Sequence, residues 1–280
     1  MEISAQLVKQ LRDRTGAGMM DAKKALVETS GDIEKAIDVL RTKGLAKAAK
    51  KGDRETFAGA VVVKVEGNKG IVVEVNSETD FVARNEKFQG FVKTVADKAF
   101  AANADITAVM TEDMNTELAN QIATIGEKLD VRRMTSVEVS DGAVISYVHN
   151  RLADNIGLIG VLVAIEAPGA DAAKMAEVGE QVAMHIAASS PTFLNVEDVD
   201  AATLEREKAV AREKAIAAGK PADIAEKMVA GNVKKYYDEV VLNEQAFFID
   251  PSKKIKDFVA TIAPGAKITK FTRFVVGEKI

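Results

Sequence analysis

A run of alternating aliphatic residues, Ile71 to Val75, predicts a strand that ends at a polar turn. The turn reads Asn76-Ser77-Glu78-Thr79-Asp80-Phe81-Val82. Its chemistry lies in the carboxylate of Asp80 and the large apolar ring beside it. Because a rigid strand end holds such a loop in place, these residues are suited to contacting a partner.

The same residues also fit the start of a helix. Ser77-x-x-Asp80 matches the capping-box pattern, in which Asp80 accepts a hydrogen bond from an exposed amide. In that interpretation Phe81 packs into the core and contacts no partner. The local pattern is compatible with both interpretations, so the rest of the chain has to separate them.

The chain offers little for catalysis or metal binding. It has no cysteine, which excludes disulfides, thiolate nucleophiles and cysteine-based metal sites. His149 and His185 fall on different predicted elements, so we expect a partner contact or ordinary packing for them. The sequence lacks a phosphate loop, a Gly-x-Ser-x-Gly elbow and a His-x-x-x-His pair. These features favour a binding protein with no cofactor and no metal over an enzyme, and leave open a hydrolase with a carboxylate pair.

Composition and charge narrow the classes of partner. The 280 residues are 47% hydrophobic and carry a formal net charge of −4. Residues 1–54 are mildly basic, with 12 Lys and Arg against 8 Asp and Glu, which leaves an RNA-binding accessory factor of translation as the alternative function. We expect no direct nucleic-acid binding, no membrane span and, since no targeting segment is evident, a cytoplasmic protein.

The sequence patterns around these residues predict an α+β fold that would hold them in place. Residues 1–45 show helical spacing of apolar side chains, broken at Gly16-Ala17-Gly18 and Ser30-Gly31-Asp32, which predicts a docking module of three short helices. The lysine-rich residues 46–58 are predicted to be a solvated linker. Met19 and Met20 begin the second helix, and because adjacent helical positions face different ways, at least one can be exposed for an apolar contact.

Two hairpin-plus-helix units follow, which we interpret as an internal duplication. They define a core subdomain at 59–140 and another at 141–280. The first unit is predicted as strands 60–65 and 71–75 with a helix over 85–102, and the second as strands 143–148 and 158–165 with a helix over 171–188.

The remaining predictions concern the segments around these units. Residues 111–130 are predicted to be helical, and 137–139, 247–249 and 267–276 to be strands. A helical hairpin at 198–236, with arms 201–218 and 222–236, has little apolar surface and is expected to project from the second subdomain. Such a hairpin could support a homodimer.

The chain as a whole resembles the bacterial translation elongation factor Ts family, over nearly its full length. The resemblance rests on an ordered series of motifs. They include Arg14-Thr15-Gly16-Ala17-Gly18-Met19-Met20-Asp21, Gly31-Asp32-Ile33-Glu34-Lys35-Ala36, Thr79-Asp80-Phe81-Val82-Ala83, Ile125-Gly126-Glu127, Val131-Arg132-Arg133, Met184-His185-Ile186-Ala187-Ala188-Ser189 and Gly219-Lys220-Pro221.

The resemblance implies a guanine nucleotide exchange factor that acts on elongation factor Tu and is not itself an enzyme. It implies a ubiquitin-associated-like N-terminal module, two core subdomains and a coiled-coil protrusion. Thr79, Asp80, Phe81 and Val82 match the element that dislodges Mg²⁺ from GDP-bound Tu. The implied contacts with Tu are Met19, Met20, Lys23, Ile125, Gly126, His149, Phe248 and Ile249.

Overall fold

A computed structural model describes residues 3–279 and begins with a compact helical module. Its helices are α1 (Ala5–Thr15), α2 (Met19–Glu28) and α3 (Ile33–Ala49). Side-chain oxygens of Ser4 and Asp32 cap α1 and α3, and Gly16 ends α1 with a φ of 68°. The helix α3 continues to Ala49, so four residues of the predicted linker are helical.

The first core unit follows the predicted hairpin and helix closely. Strands β1 (Ala58–Glu66) and β2 (Lys69–Ser77) pair antiparallel around a two-residue turn, in which Gly67 supplies the positive φ of 61°. The helices are α4 (Asp80–Ala83), α5 (Glu86–Ala101), α6 (Ile106–Val109) and α7 (Glu112–Ile125), and the third strand is β3 (Leu129–Glu138).

Two boundaries in this unit differ from the prediction. Residues 111–130 are not helical throughout, because Gly126 takes a φ of 90° and ends α7 at Ile125. The strand predicted at 137–139 begins at Leu129 instead, since β3 pairs with β2 along its whole length.

The second core unit repeats this arrangement. Its strands are β4 (Gly142–His149), β6 (Ile159–Glu166) and β7 (Lys267–Val275), with β6 in the middle. The two-residue strand β5 (Ile156–Gly157) pairs with β1 and therefore belongs to the first sheet. The helices are α8 (Ala172–Ser189), α9 (Ala201–Ala217), α10 (Ala222–Val240) and α11 (Ile255–Val259).

The predicted strand at 247–249 is wrong. Ala246 makes only an isolated bridge to Lys254, and the following residues form a bend. Phe247 is buried there by stacking on Phe258, with 4.2 Å between the ring centroids. Aromatic packing, rather than a sheet ladder, therefore fixes this segment.

The two sheets pack face to face between two helical layers. One core lies between the first sheet and α5 and α7, a second lies between the sheets, and a third lies between the second sheet and α8 and α11. Gly70 and Gly160 face the other sheet, where a Cβ would lie 2.8 Å from Val144 and 2.5 Å from Val61. Small residues at these positions thus let the sheets approach closely.

A buried carboxylate joins the two units. Glu74 of β2 is fully buried and pairs with Arg132 Nη1 at 2.9 Å and Arg133 Nε at 2.5 Å. It also accepts the backbone N–H of Gly277 at 2.8 Å, beyond the end of β7. Because a buried charge needs such partners, this cluster ties the end of the second unit to the centre of the first.

The helical hairpin projects as expected. Its arms, α9 and α10, pack on each other, and the buried residues in them are Ala211, Ala215, Ala225 and Val229. None of the helices in residues 3–279 combines the length and hydrophobicity that crossing a membrane requires.

Candidate partner-binding site

The turn after β2 forms an exposed tip. Phe81 lies in the one-turn helix α4 and is 81% exposed, whereas Val82 beside it is only 7% exposed and packs into the first core. Asp80 is also exposed. The interpretation in which Phe81 enters the core is therefore wrong, because Val82 and Ala83 take the buried positions.

The predicted capping box does not form either. The Ser77 hydroxyl is buried and donates to the carbonyl of Thr79 at 2.8 Å. Thr79, not Ser77, is the N-cap residue of α4, and its side chain makes no hydrogen bond to that helix. The Ser77 side chain therefore stabilises the turn itself and not the start of the helix.

The tip is held from below by the segment that follows α7. Thr79 donates from its backbone N–H and its hydroxyl to the two Glu127 carboxylate oxygens, at 2.9 and 2.7 Å. In the opposite direction, the Glu78 carboxylate accepts the backbone N–H of Lys128 at 2.6 Å. We call these four residues, Glu78, Thr79, Glu127 and Lys128, the carboxylate clasp.

Residues of the linker also contact the clasp. Arg54 pairs with the Glu78 carboxylate at 3.0 Å, and Lys128 Nζ donates to the carbonyls of Gly52 and Arg54. The hydrogen bond from the Lys128 N–H, supported by the hydrogen bond from Arg54, lowers the pKa of Glu78. Glu78 is therefore ionised throughout the neutral range.

The clasp brings separate parts of the sequence together at one place. Ile125 is half-buried and Gly126 is exposed at the end of α7, directly before Glu127. The Lys51 ammonium group donates to the carbonyl of Gly126. The predicted residues Thr79, Asp80, Phe81, Ile125 and Gly126 thus lie at one end of the first unit, while Val82 is buried beneath them.

The helical module presents a second apolar surface on α2. Met19 and Met20 are both exposed, and Lys23 lies one turn further along the same helix. Val27, which the sequence reasoning missed, is 60% exposed a further turn along. An apolar residue at a helical spacing of seven from Met20 was the signal that could have found it.

The predicted contacts of the second unit lie elsewhere. His149 is exposed at the end of β4, where its Nδ1 is 3.1 Å from the Tyr147 hydroxyl. Phe248 and Ile249 are exposed beside α8, which covers the face of the second sheet opposite to the first sheet. The two apolar ends of the molecule, at Phe81 and at Phe248, are therefore separated by both sheets.

A buried histidine supports the Phe248 end. His185 of α8 is 2.8 Å from Gln245 Oε1 through Nε2, and its Nδ1 accepts the backbone N–H of Phe248 at 3.4 Å. Its ring stacks on Phe248 with 5.7 Å between the centroids. Burial lowers the pKa of His185 despite the hydrogen bond to Gln245, so the ring is neutral at pH 7.

Comparison with known proteins gives a consistent result. A family model described as Elongation factor TS matches residues 78–278. The elongation factor Ts of Paramagnetospirillum magneticum is 50% identical over 290 residues, which cover 100% of this chain and 93% of that protein. That of Brucella anthropi is 51% identical over 289 residues, with 100% and 94% coverage.

A duplicated α+β core with an exposed apolar tip, together with these matches, defines a translation elongation factor. Within that class, the chain belongs to the elongation factor Ts family.

Proposed function

We propose that this protein is a guanine nucleotide exchange factor that binds GDP-bound elongation factor Tu and promotes release of GDP. The observation that carries the proposal is the exposure of Phe81, a residue that is 81% exposed on a tip held by the carboxylate clasp. An apolar ring in that position is costly to leave in water and is suited to insertion into a partner. The family membership of the chain supplies Tu as that partner.

The tip acts by displacing parts of Tu rather than by covalent chemistry. A bound nucleoside diphosphate is held by phosphate-loop amides and by Mg²⁺, which offsets the phosphate charge. Phe81, inserted beside that site, shifts the elements that position the ion. Asp80 adds a negative charge and a hydrogen-bond acceptor there. Thr79 and Val82 fix these two side chains from either side.

Exchange then follows from linkage. If this protein weakens GDP binding to Tu, GDP weakens the binding of this protein by the same factor. Incoming GTP can therefore displace it from nucleotide-free Tu, and the protein is released for another cycle. The chain needs no cofactor and no metal of its own for these steps, which support the elongation stage of protein synthesis in the cytoplasm.

The other exposed residues extend the contact with Tu. The α2 surface, the end of α7, the end of β4 and the Phe248 segment would each bind a different part of the partner. The residues assigned to these contacts are Met19, Met20, Lys23, Val27, Ile125, Gly126, His149, Phe248 and Ile249. The exposed Ile216 and Ile224 near the tip of the helical hairpin are candidates for self-association.

The experiment is stopped-flow release of a fluorescent GDP analogue from Tu, with and without catalytic amounts of this protein. We expect acceleration that falls roughly thirtyfold for Phe81→Ala, because a buried aromatic anchor contributes about 2 kcal/mol. Phe57→Ala is the matched control, since Phe57 is also exposed but precedes β1. Equal rates for Phe81→Ala and the natural protein would contradict the proposal for the tip.

RNA binding is less well supported. The basic residues of the helical module are largely engaged by carboxylates, as in the pairs of Arg14 with Glu34, Lys43 with Glu28 and Lys47 with Asp21. An RNA-binding face would instead keep such groups free for phosphates. Retention of RNA on the protein at moderate salt would favour this alternative.

A further inference from the structure

The carboxylate clasp extends the hydrogen bonding between β2 and β3 beyond the point where their backbone pairing ends. The pairing of β2 with β3 ends at Ser77 and Leu129, one residue before the clasp. At the next two positions, carboxylates replace carbonyl groups as acceptors. Glu78 accepts the N–H of Lys128, and Glu127 accepts the N–H of Thr79. The strand ends therefore remain joined up to the residue that directly precedes Asp80.

Besides the clasp, the hydrogen bond from the Ser77 hydroxyl to the Thr79 carbonyl fixes this turn, but α4 itself adds little. The helix α4 is four residues long, and isolated helices of that length are unstable in water. The Thr79 side chain makes no capping hydrogen bond to this helix, and its hydroxyl donates to Glu127 at 2.7 Å. Val82 and Ala83 anchor one side of α4 in the core. The other side, which carries Asp80 and Phe81, depends on the position of Thr79.

We propose that Glu127 is a positioning residue for Phe81, an inference that rests on the proposed exchange function. Its carboxylate takes both donors of Thr79, and hydrogen bonds to a charged acceptor are the strong ones. Holding Thr79 fixes the direction in which Phe81 leaves the surface before Tu arrives. The tip then loses little conformational freedom on binding, which is how preorganisation raises affinity.

Three variants test this role: Glu127→Ala, Glu127→Gln and Thr79→Val. The first readout is amide hydrogen exchange of the free protein, which needs no partner. Glu127→Ala should raise exchange at residues 78–83 about tenfold, the size expected for losing hydrogen bonds to a charged group. Glu127→Gln should raise exchange less than Glu127→Ala, because its amide oxygen can accept the Thr79 N–H and its amide nitrogen can donate to the hydroxyl, although the charge is lost.

The second readout is GDP release from Tu. Glu127→Ala should slow it about tenfold, through the same loss of order at the tip. Thr79→Val should have a smaller effect, and should add little in the Glu127→Ala background because both changes remove the same contact. Glu138→Ala is the matched control, since it removes an exposed carboxylate at the opposite end of β3.

The outcomes separate this inference from the proposed function. Unchanged hydrogen exchange at 78–83 in Glu127→Ala would overturn the positioning role, whatever happens to GDP release. Increased exchange along all of β3 would also overturn it, because Glu127 would then be a general structural residue. If Phe81→Ala leaves GDP release unchanged while Glu127→Ala loosens only the tip, the clasp is supported and the exchange role of the tip fails.

Discussion

The two hairpin-plus-helix units share a scaffold but end in different loops. Gly59 and Gly142 occupy matching positions at the start of the first strand of each unit, and each ladder to the third strand has an irregularity, at Glu74/Val75 and at Ala164/Ile165. After its second strand, the first unit builds α4 with the exposed Phe81. The second unit makes only a short turn through Pro168 and Gly169 before α8.

The units also differ inside the layer between the sheets. Glu74 and Ala164 occupy matching positions, each directly before the irregularity in its ladder, and both are fully buried. Only the first unit therefore places a charge there and needs Arg132 and Arg133 to balance it. The shared scaffold therefore carries the packing, whereas the buried charge of Glu74 and the Phe81 tip belong to the first unit.

The largest expected effect concerns the buried charge of Glu74, which distinguishes the first unit from the second. Glu74→Ala leaves Arg132 and Arg133 without their carboxylate and should lower the free energy of unfolding by about 3–5 kcal/mol. The matched change Ala164→Gly should cost only about 1 kcal/mol. Urea denaturation of both variants measures the difference. Equal losses would mean that the charge in the first unit has no special structural role.

The next effect tests what the units share. A Cβ would lie 2.2 Å from the Val75 carbonyl oxygen at Gly59 and 1.9 Å from that of Ile165 at Gly142. Because backbone atoms cannot move aside cheaply, Gly59→Ala and Gly142→Ala should each cost about 3 kcal/mol in thermal or urea unfolding. Gly90→Ala, in open space on α5, should be neutral or stabilising. Strongly unequal losses would contradict a shared scaffold.

A smaller effect is a difference in pH dependence between the two exposed apolar ends, at Phe248 and at Phe81. The pKa of His185 is lowered by burial, so the unfolded state binds a proton more readily, and stability is lost as the pH falls below the ordinary histidine pKa. The pKa of Glu78 is lowered instead, chiefly by the hydrogen bond from the Lys128 N–H, so its contacts with Lys128 and Arg54 persist in this pH range. When the pH is lowered from 7.5 to 5.5, amide protection corrected for the intrinsic exchange rate should therefore fall at 245–250 but not at 78–83.

The His185→Gln variant is the control for this pH effect. It removes the group that titrates, so exchange at 245–250 should no longer depend on pH in this range beyond the intrinsic rate. A pH response that persists in His185→Gln would assign the effect to another group.

The smallest expected effect concerns the short loop after the second strand of the second unit. Pro168→Ala changes the loop of the second unit that matches the Phe81 tip, and we expect GDP release from Tu to remain as in the natural protein. The stopped-flow measurement described for Phe81→Ala checks this directly. A fall comparable to that of Phe81→Ala would show that both loops take part in exchange.

Much of this architecture could be predicted from the sequence, because regular patterns report regular elements. The alternation from Val61 to Val75 around Gly67 predicts the first hairpin, and the structure confirms it. The direction of Phe81 could not be predicted, since Val82 and Phe81 are equally apolar and only the position of α4 decides which is buried. Glu127 was missed as well, because its contact with Thr79 joins residues 48 positions apart.

The prediction of a strand at 247–249 was wrong for a related reason. Three apolar residues in a row are typical of a buried strand, but periodicity alone does not distinguish a ladder from a bend held by side chains. Phe247 stacks on Phe258, and Phe248 stacks on His185. These partners come from other elements, so the local sequence carries no signal for them.

The buried carboxylate of Glu74 also has a consequence for folding during synthesis of the chain. Glu74 takes the amide of Gly277, a residue 203 positions later. At about 5–20 residues per second, synthesis of the intervening chain lasts roughly 10 to 40 s. Throughout that time the first sheet emerges with its central charge incompletely paired. The nascent first unit therefore reaches its final stability only after Gly277 has been synthesised and has emerged.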